Sequence, residues 1–527
     1  MKQIHLKLSK IKQKKYNSII IGSGAAGLNC AIHLVKEGIN AKNIAILTEG
    51  LGGGTSFNTG SDKQTYYKFS ITGKDLDSPY TMAEDLARGG AMHGDLALIE
   101  ATNSVREFFH LIELGVPFPH DKFGGYVGYK TDNDPRQRAT SIGPLTSQKM
   151  SECLLKEVKQ LKIKIIDKTY CFRVIIQRSG GTKKSVGLIA LDLNVLNNKE
   201  NFKNLNDCIV IFYAQNIIMA TGGPAFIYKN SVYPPSQKGS TGLAIEAGCV
   251  LQNLTESQFG LASLKFRWNL SGSYQQVIPR YYSVDKNGKE IEFLRNYFPT
   301  FKDLSKATFL KGYQWPFNAE RIENYGSSLI DLAVYYETEI LGNKVYLDYT
   351  RNPSGFNFDD LDAIVLQYLS NSNALRKTPI QRLEAMNEEA IKVFMRNRIN
   401  LHKESIQIAV CNQHLNGGVS CNEWWESINI NHFFAIGEIC GTHGIHRPGG
   451  AALNSGQVGG LRAALKIAHS ADYNRNFNKQ QLTSIFKDEL ILIESEFNSI
   501  LGGKVTLKNQ HLSEKSDNSR LRTILME

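Results

Sequence analysis

Apolar and polar positions along the chain fall into a few distinct registers. Ser18, Ile19, Ile20 and Ile21 make a short continuous apolar run, which predicts a buried strand. GSGAAGLNCAIHL follows, and its pattern predicts a glycine turn and a helix that stops at Gly38. A second apolar run, NIAILTEG at 43–50, comes at the distance expected of a βαβ unit. Farther on, 261–343 is irregular and aromatic-rich, while 356–400 has helical periodicity without nucleotide-type glycines. QLTSIFKDELILIESEF, near the end, predicts a helix followed by a polar tail.

Two glycine-rich places suggest chemistry. In the first, Gly22 suits a tight turn and Gly24 lets backbone approach a pyrophosphate. Gly27 lets the helix lie close on the strand, and the helix N-terminus faces the anion. The second predicted strand ends in Thr48 and Glu49, either of which could hold a ribose. The next loop, GLGGGTSFNTGSD, is rich in glycine and hydroxyls and suits an extended cofactor. The other place is GIHRPGGAALNS at 444–455, where Arg447 sits at a helix entrance with room made for a ligand.

Composition narrows the class. With 527 residues the chain is too long for one core, so two or three domains are expected. Hydrophobic content of 42% and charged content of 21% are those of a globular protein. The formal charge of +11 has two readings, a basic surface with no special partner or attraction of an anionic substrate and cofactor. The basic residues are dispersed and no nucleic-acid motif is present, so no nucleic-acid partner is expected. None of the eight cysteines stands in a CxxC spacing, which argues against a zinc ribbon, a CxxC redox pair or a local iron–sulfur cluster; no metal is expected. No secretory signal and no apolar run long enough to span a membrane is read, so the expectation is a soluble cytoplasmic protein.

The succession of motifs resembles the succinate dehydrogenase/fumarate reductase flavoproteins together with L-aspartate oxidase. IIIGSGAAGL resembles their FAD fingerprint and GGGTSFNTGSD their flavin loop. LIELGVPF, MATGG at 219–223, KGSTGLAIEAG, VYLDYT and HLNGGV resemble further segments in the family's order. FAIGEICGTHGIHRPGGAAL resembles the closing flavin segment with its substrate arginine. The resemblance implies an α/β fold with a discontinuous Rossmann-like FAD-binding domain, an inserted α+β capping domain and a short helical C-terminal segment. The expected division is 1–260 and 406–470 for the FAD domain, 261–405 for the cap and 471–527 for the tail.

Carried over by motif, the resemblance implies cofactor contacts from Gly22, Ser23, Gly24, Ala26, Gly27, Thr48, Glu49, Thr55 and Ser56. It implies more from Ala220, Thr221, Gly222, Thr241, Glu438, Ala452 and Leu453. Arg447 would hold a substrate carboxylate, which an arginine fork can orient with two parallel charge-assisted bonds. His414 would line the pocket, with His443 or His446 as a second contact. Several positions depart from the family. Thr55 and Ser56 stand where covalent members have a flavin-linking histidine, so the FAD is expected to be non-covalent. SIGPLTSQKM lacks the histidine of a Thr-Gly-x-His segment, Thr241 replaces an aspartate, and Glu256 is kept. The proton-shuttling Arg-Gly-Glu-Gly is absent, leaving Arg280 and Arg267 as nearby candidates, and Arg136 and Arg138 are expected near the pocket.

The expected function is hydride transfer between FAD and a carbon next to a carboxylate, acting on a small anionic substrate. The alternatives are a flavoprotein subunit passing electrons to an iron–sulfur partner and a non-catalytic FAD-binding protein.

Overall fold

A computed structural model describes residues 4–73, 76–198, 204–225, 227–470 and 479–501. The predicted βαβ unit is present as β1 (Lys12–Ile21), α1 (Ala25–Lys36) and β2 (Ile44–Leu47). β1 is polar where it enters and fully buried over Ile19 and Ile20, where both faces are covered. The sheet is completed by β3 (Lys164–Ile166), β4 (Thr169–Ser179), β5 (Thr182–Asp192) and β6 (Ile209–Met219) in the order β3-β2-β1-β6-β5-β4. Pairing is parallel from β3 to β6 and antiparallel from there to β4.

A second sheet, antiparallel throughout, is built from β7 (Ser257–Ser263), β8 (Trp268–Asn269), β9 (Arg280–Val284), β10 (Glu290–Ile291), β11 (Lys344–Asp348) and β12 (Ile406–Leu415). Its order is β8-β7-β12-β11-β9-β10. β12, which begins at the expected boundary of 405/406, pairs within this second sheet. Ile406 and Ile408 at its start belong to the cap core, and its far end carries His414 toward the first domain. After it, β13 (Phe433–Ala435) returns to the first sheet beside β6.

The helix predicted near the end spans Lys479–Leu501. Leu482, Phe486, Leu490, Ile493 and Phe497 recur at spacings of three and four, so they share one face. That face packs on Phe172, Ile175, Val186 and Ile189 of β4 and β5. The polar tail expected after it lies outside the described residues.

The loop 131–138 is fixed from below by an ion cluster. Arg138 is fully buried and donates to Asp77 at 2.8 Å, Asp85 at 2.8 Å and Asp134 at 3.2 Å. It was expected near the pocket, but these acids draw it into the protein interior. Arg136 likewise turns away, its Nη1 donating to the Leu76 carbonyl at 2.6 Å. Arg138→Met should destabilise the fold by about 3–5 kcal/mol, because the partner carboxylates stay buried without their cation. Urea unfolding monitored by circular dichroism measures this, and a loss below about 1 kcal/mol would contradict the role.

Candidate functional site

A cavity of about 730 Å³ runs from the start of α1 to the cap. At one end the chain comes too close for side chains. Gly22 has φ +111°, and a Cβ there would lie 2.3 Å from the Ala220 carbonyl oxygen. The N-cap of α1 is Gly24, which has no side chain to offer, and the first helical residues Ala25 and Ala26 face the cavity with Ser23, Gly24, Thr48 and Glu49. Ser56 Oγ accepts from the Ala25 N–H at 3.1 Å, and Ser23 donates to Thr48 Oγ1 at 2.9 Å. Gln237, which sequence reasoning missed, holds the flavin-loop candidate Thr55 through its backbone N–H at 2.8 Å and its hydroxyl at 2.5 Å. Ala220, Thr221 and Gly222 extend the wall, and Thr221 Oγ1 is buried without a hydrogen-bond partner. A second helix, Ala451–Ala468, opens on the cavity through Ala452 and Leu453.

Toward the cap the wall carries Arg447, Gln258, His414, Asp62, Tyr129 and Asp132, facing Tyr313, Trp315 and Tyr368. The Arg447 guanidinium donates to Gln258 Oε1 at 3.1 Å and to its neighbour's carbonyl at 3.3 Å. Its Nε and the Gln258 Nε2 are buried without partners, and no carboxylate among the described residues forms an ion pair with it. Burial pushes its pKa down, and Glu438 and Asp132 pull it back. His414 lies 2.7 Å from Asn416 Oδ1 through Nδ1 and 3.2 Å from His443 Nδ1 through Nε2. Burial and Arg447 push His414 well below the usual histidine range, and burial, His414 and Arg447 do the same to His443. With Nδ1 donating to Asn416, Nε2 of the neutral ring accepts from His443. Both His414 nitrogens are therefore engaged within the protein. The Glu438 carboxylate accepts from the Tyr233 hydroxyl and from the Leu415 N–H at 3.0 Å, and burial raises its pKa.

Some expected residues lie elsewhere. Arg280 is off the wall, held by Glu292 at 2.7 Å and Glu290 at 2.8 Å and stacked on Tyr282. Arg267 donates to the Tyr233 carbonyl at 2.8 Å. His446 is off the wall as well, its backbone bonded to Gly89, and His443 takes the place beside His414. Gly27 serves packing rather than contact, since a Cβ there would lie 2.4 Å from the Gly22 carbonyl oxygen. Thr241 follows the wall residues Lys238, Gly239 and Ser240 and begins the next helix. Sequence reasoning missed Gln237, Gln258, Tyr129 and Asp132 as wall residues, although Gln258 follows the kept Glu256 by two positions.

Comparison with known proteins identifies the class. The FAD binding domain family matches residues 17–453, and the chain belongs to it. The curated relatives include one subunit of the CoM/CoB fumarate reductase of Methanothermobacter marburgensis, 24% identical over 89% of this chain and 75% of that protein. They also include L-aspartate oxidase of Bacillus subtilis, 23% identical over 78% of this chain and 66% of that one. In fold it resembles the FrdA chain of an E. coli quinol fumarate reductase, with a TM-score of 0.64 and 18% identity over 93% of this chain and 75% of the other. The chain is an FAD-dependent oxidoreductase of the fumarate reductase, succinate dehydrogenase and L-aspartate oxidase type. Its cavity fits that cofactor: a helix start with glycine at its N-cap, backbone too close for side chains at Gly22, and an unpartnered Thr221 hydroxyl. No helix among the described residues is long and apolar enough to cross a membrane.

Gly24→Val would place a branched side chain 3.1 Å from Ser56 Oγ, at the mouth of α1. Its FAD content should fall at least about tenfold while the protein stays folded. Flavin absorbance per protein measures this; full flavin in the variant would contradict the assignment of that helix start.

Proposed function

We propose that this chain moves hydride between FAD and a carbon next to a substrate carboxylate held by Arg447. The observation that carries the reading is a cavity-lining guanidinium without a carboxylate partner among the described residues, with its Nε buried and unpartnered. An acidic ligand supplies the missing acceptor, and a bidentate fork fixes its orientation.

Bound FAD supplies a two-electron centre that takes or gives hydride at ring nitrogen N5. Gly22, Ser23, Gly24 and Ala26 would hold its pyrophosphate at the α1 N-terminus, and Thr48 and Glu49 its ribose. Thr55, Ser56, Ala220, Thr221, Gly222, Ala452 and Leu453 would line the rest of the bound cofactor. Arg447 binds the substrate carboxylate and stabilises charge that grows there during reaction. His414, neutral and braced by Asn416 and His443, fixes the floor beside Arg447 rather than adding a second cation. Tyr313, Trp315 and Tyr368 give this end an uncharged aromatic stretch of wall, which supports a substrate with one carboxylate and an uncharged remainder. The cap supplies part of the wall at this end.

A flavoprotein that hands its electrons to an iron–sulfur partner is the second reading, supported by the methanogen relative, which is named as one subunit of its fumarate reductase. Turnover of the purified chain with a soluble donor favours the stand-alone enzyme, and flavin reduction without turnover favours the partnered one. The eight cysteines, none in a disulfide, support a reducing compartment such as the cytoplasm.

Among the described residues His414 is the one histidine on the cavity wall, and Thr55 and Ser56 occupy the flavin loop. The FAD is therefore non-covalent: acid precipitation should leave a colourless pellet and intact FAD in the supernatant. A yellow pellet would contradict this.

Arg447→Lys keeps charge but loses the planar fork, so turnover should fall by about two orders of magnitude or more with FAD content kept. Flavin-normalised rates across a panel of mono- and dicarboxylic acids measure it. Near-normal turnover in the lysine variant would contradict a forked clamp, and loss of flavin would make Arg447 structural.

A further inference from the structure

Resting on the reading of Arg447 as a carboxylate clamp, we propose that Asp132 is the proton-handling residue of this site, facing substrate from the wall beside Arg447. Several other titratable groups at that end of the cavity are held by the protein itself. His414 has both ring nitrogens engaged, and Glu438 is taken by Tyr233 and Leu415. Asp62 accepts from the Ser273 N–H at 2.7 Å and the Ser273 hydroxyl at 2.9 Å. Burial pushes the Tyr129 and Tyr313 phenols up, so they keep their protons. The arginines Arg280 and Arg267 are off the wall, bonded to Glu292, Glu290 and the Tyr233 carbonyl. Asp132 lines the cavity and is partly accessible.

Its position is built from both domains. The Trp315 backbone N–H of the cap lies on the Asp132 carboxyl side and favours its charged form. Its carbonyl accepts from the Gly449 N–H at 3.1 Å, two residues past the clamp. Next to it, Asn133 donates to the Arg447 carbonyl at 3.3 Å and accepts from Arg321 of the cap at 3.1 Å. Acid and clamp thus stand on two loops bonded to each other, which fixes their spacing on a bound substrate. The charged groups facing Asp132 are Arg321, Lys311 and Arg447, which favour its carboxylate, and Asp62, which opposes it. Burial outweighs Arg321, and the carboxyl is pushed up to about 8. A carboxyl group so tuned carries its proton at neutral pH and can give it up.

In the reducing direction the Asp132 O–H bond breaks and its proton forms a C–H bond at one carbon of a C=C bond conjugated to the clamped carboxylate. The other carbon receives hydride from reduced FAD, which carries both electrons and consumes the π bond. Asp132 is left as a carboxylate beside Arg321 and recovers its proton from water. The rate is full at low pH and is lost as pH rises through about 8.

The test uses FAD-loaded wild type, Asp132→Asn and Asp132→Glu, with crotonate and fumarate as probes. Dithionite-reduced protein is mixed with each probe and flavin re-oxidation is followed across pH, with FAD content as control. Asp132→Asn should be slower by about a hundredfold or more and lose the pH dependence, with Asp132→Glu partly restored. A rate within about tenfold of wild type, or an unchanged pH profile, would overturn the proposal. An infrared difference spectrum, with and without probe, reads the same carboxyl independently of turnover. Wild type should show a protonated carboxyl band that the probe shifts, and Asp132→Asn should lack it. If neither probe re-oxidises wild type, the reading of function fails, and the infrared result alone judges Asp132. A band absent from wild type, or unmoved by either probe, overturns the proposal.

Discussion

Arg447 sets the terms for the rest of the site. A guanidinium taken out of water without a carboxylate to meet it is costly, and several kilocalories per mole are typical for an uncompensated ion. The fold offsets only part of this with neutral acceptors, the Gln258 side chain and the Pro448 carbonyl. It keeps the anion that acts on the arginine most strongly, Glu438, occupied with Tyr233 and Leu415 rather than letting it close on the guanidinium. The two histidines are held neutral, so no second cation repels it. A site arranged in this way is electrostatically incomplete until an anionic ligand enters, which is the condition for tight orientation of a carboxylate.

The same constraint explains how the two domains meet. The loop at 131–134 is anchored by the buried Arg138 cluster and touches the Arg447 loop on one side. On the other it meets the cap through Arg321 and Trp315. Asp62 ties the flavin-loop end of the first domain to Ser273, and Asn387 of the cap donates to the Asp62 carbonyl at 3.0 Å. Each tie ends on a loop that also bears a wall residue, so the contacts that seat the cap also fix the clamp and its neighbour.

Legibility in the sequence followed the kind of constraint involved. The βαβ unit was readable because its glycines answer to backbone geometry, as Gly22 shows by its contact with Ala220. Arg447 was readable because the Pro-Gly-Gly beside it marks a close approach at a helix start. The strand at 406–415 is harder to read, because its first apolar residues serve the cap core while its last residues serve the cavity; no local pattern separates the two. Arg280 and Arg138 looked available because charge in a sequence carries no sign of its partner: Glu290 and Glu292 reach Arg280 only once the chain turns back on itself, and Asp77 and Asp85 lie far from Arg138 in the chain. Asp132 and Gln258 stayed hidden for the same reason: their roles come from tertiary neighbours, not from spacing.

The central claim is that the buried arginine is completed by a substrate carboxylate. A crystal structure of the FAD-loaded protein soaked with crotonate tests it most directly. The account predicts the carboxylate in a forked bond with the Arg447 guanidinium, Nε included, between the flavin and the Asp132 side. A carboxylate bound elsewhere in the cavity, or an Arg447 turned onto a carboxylate of the protein, would contradict it.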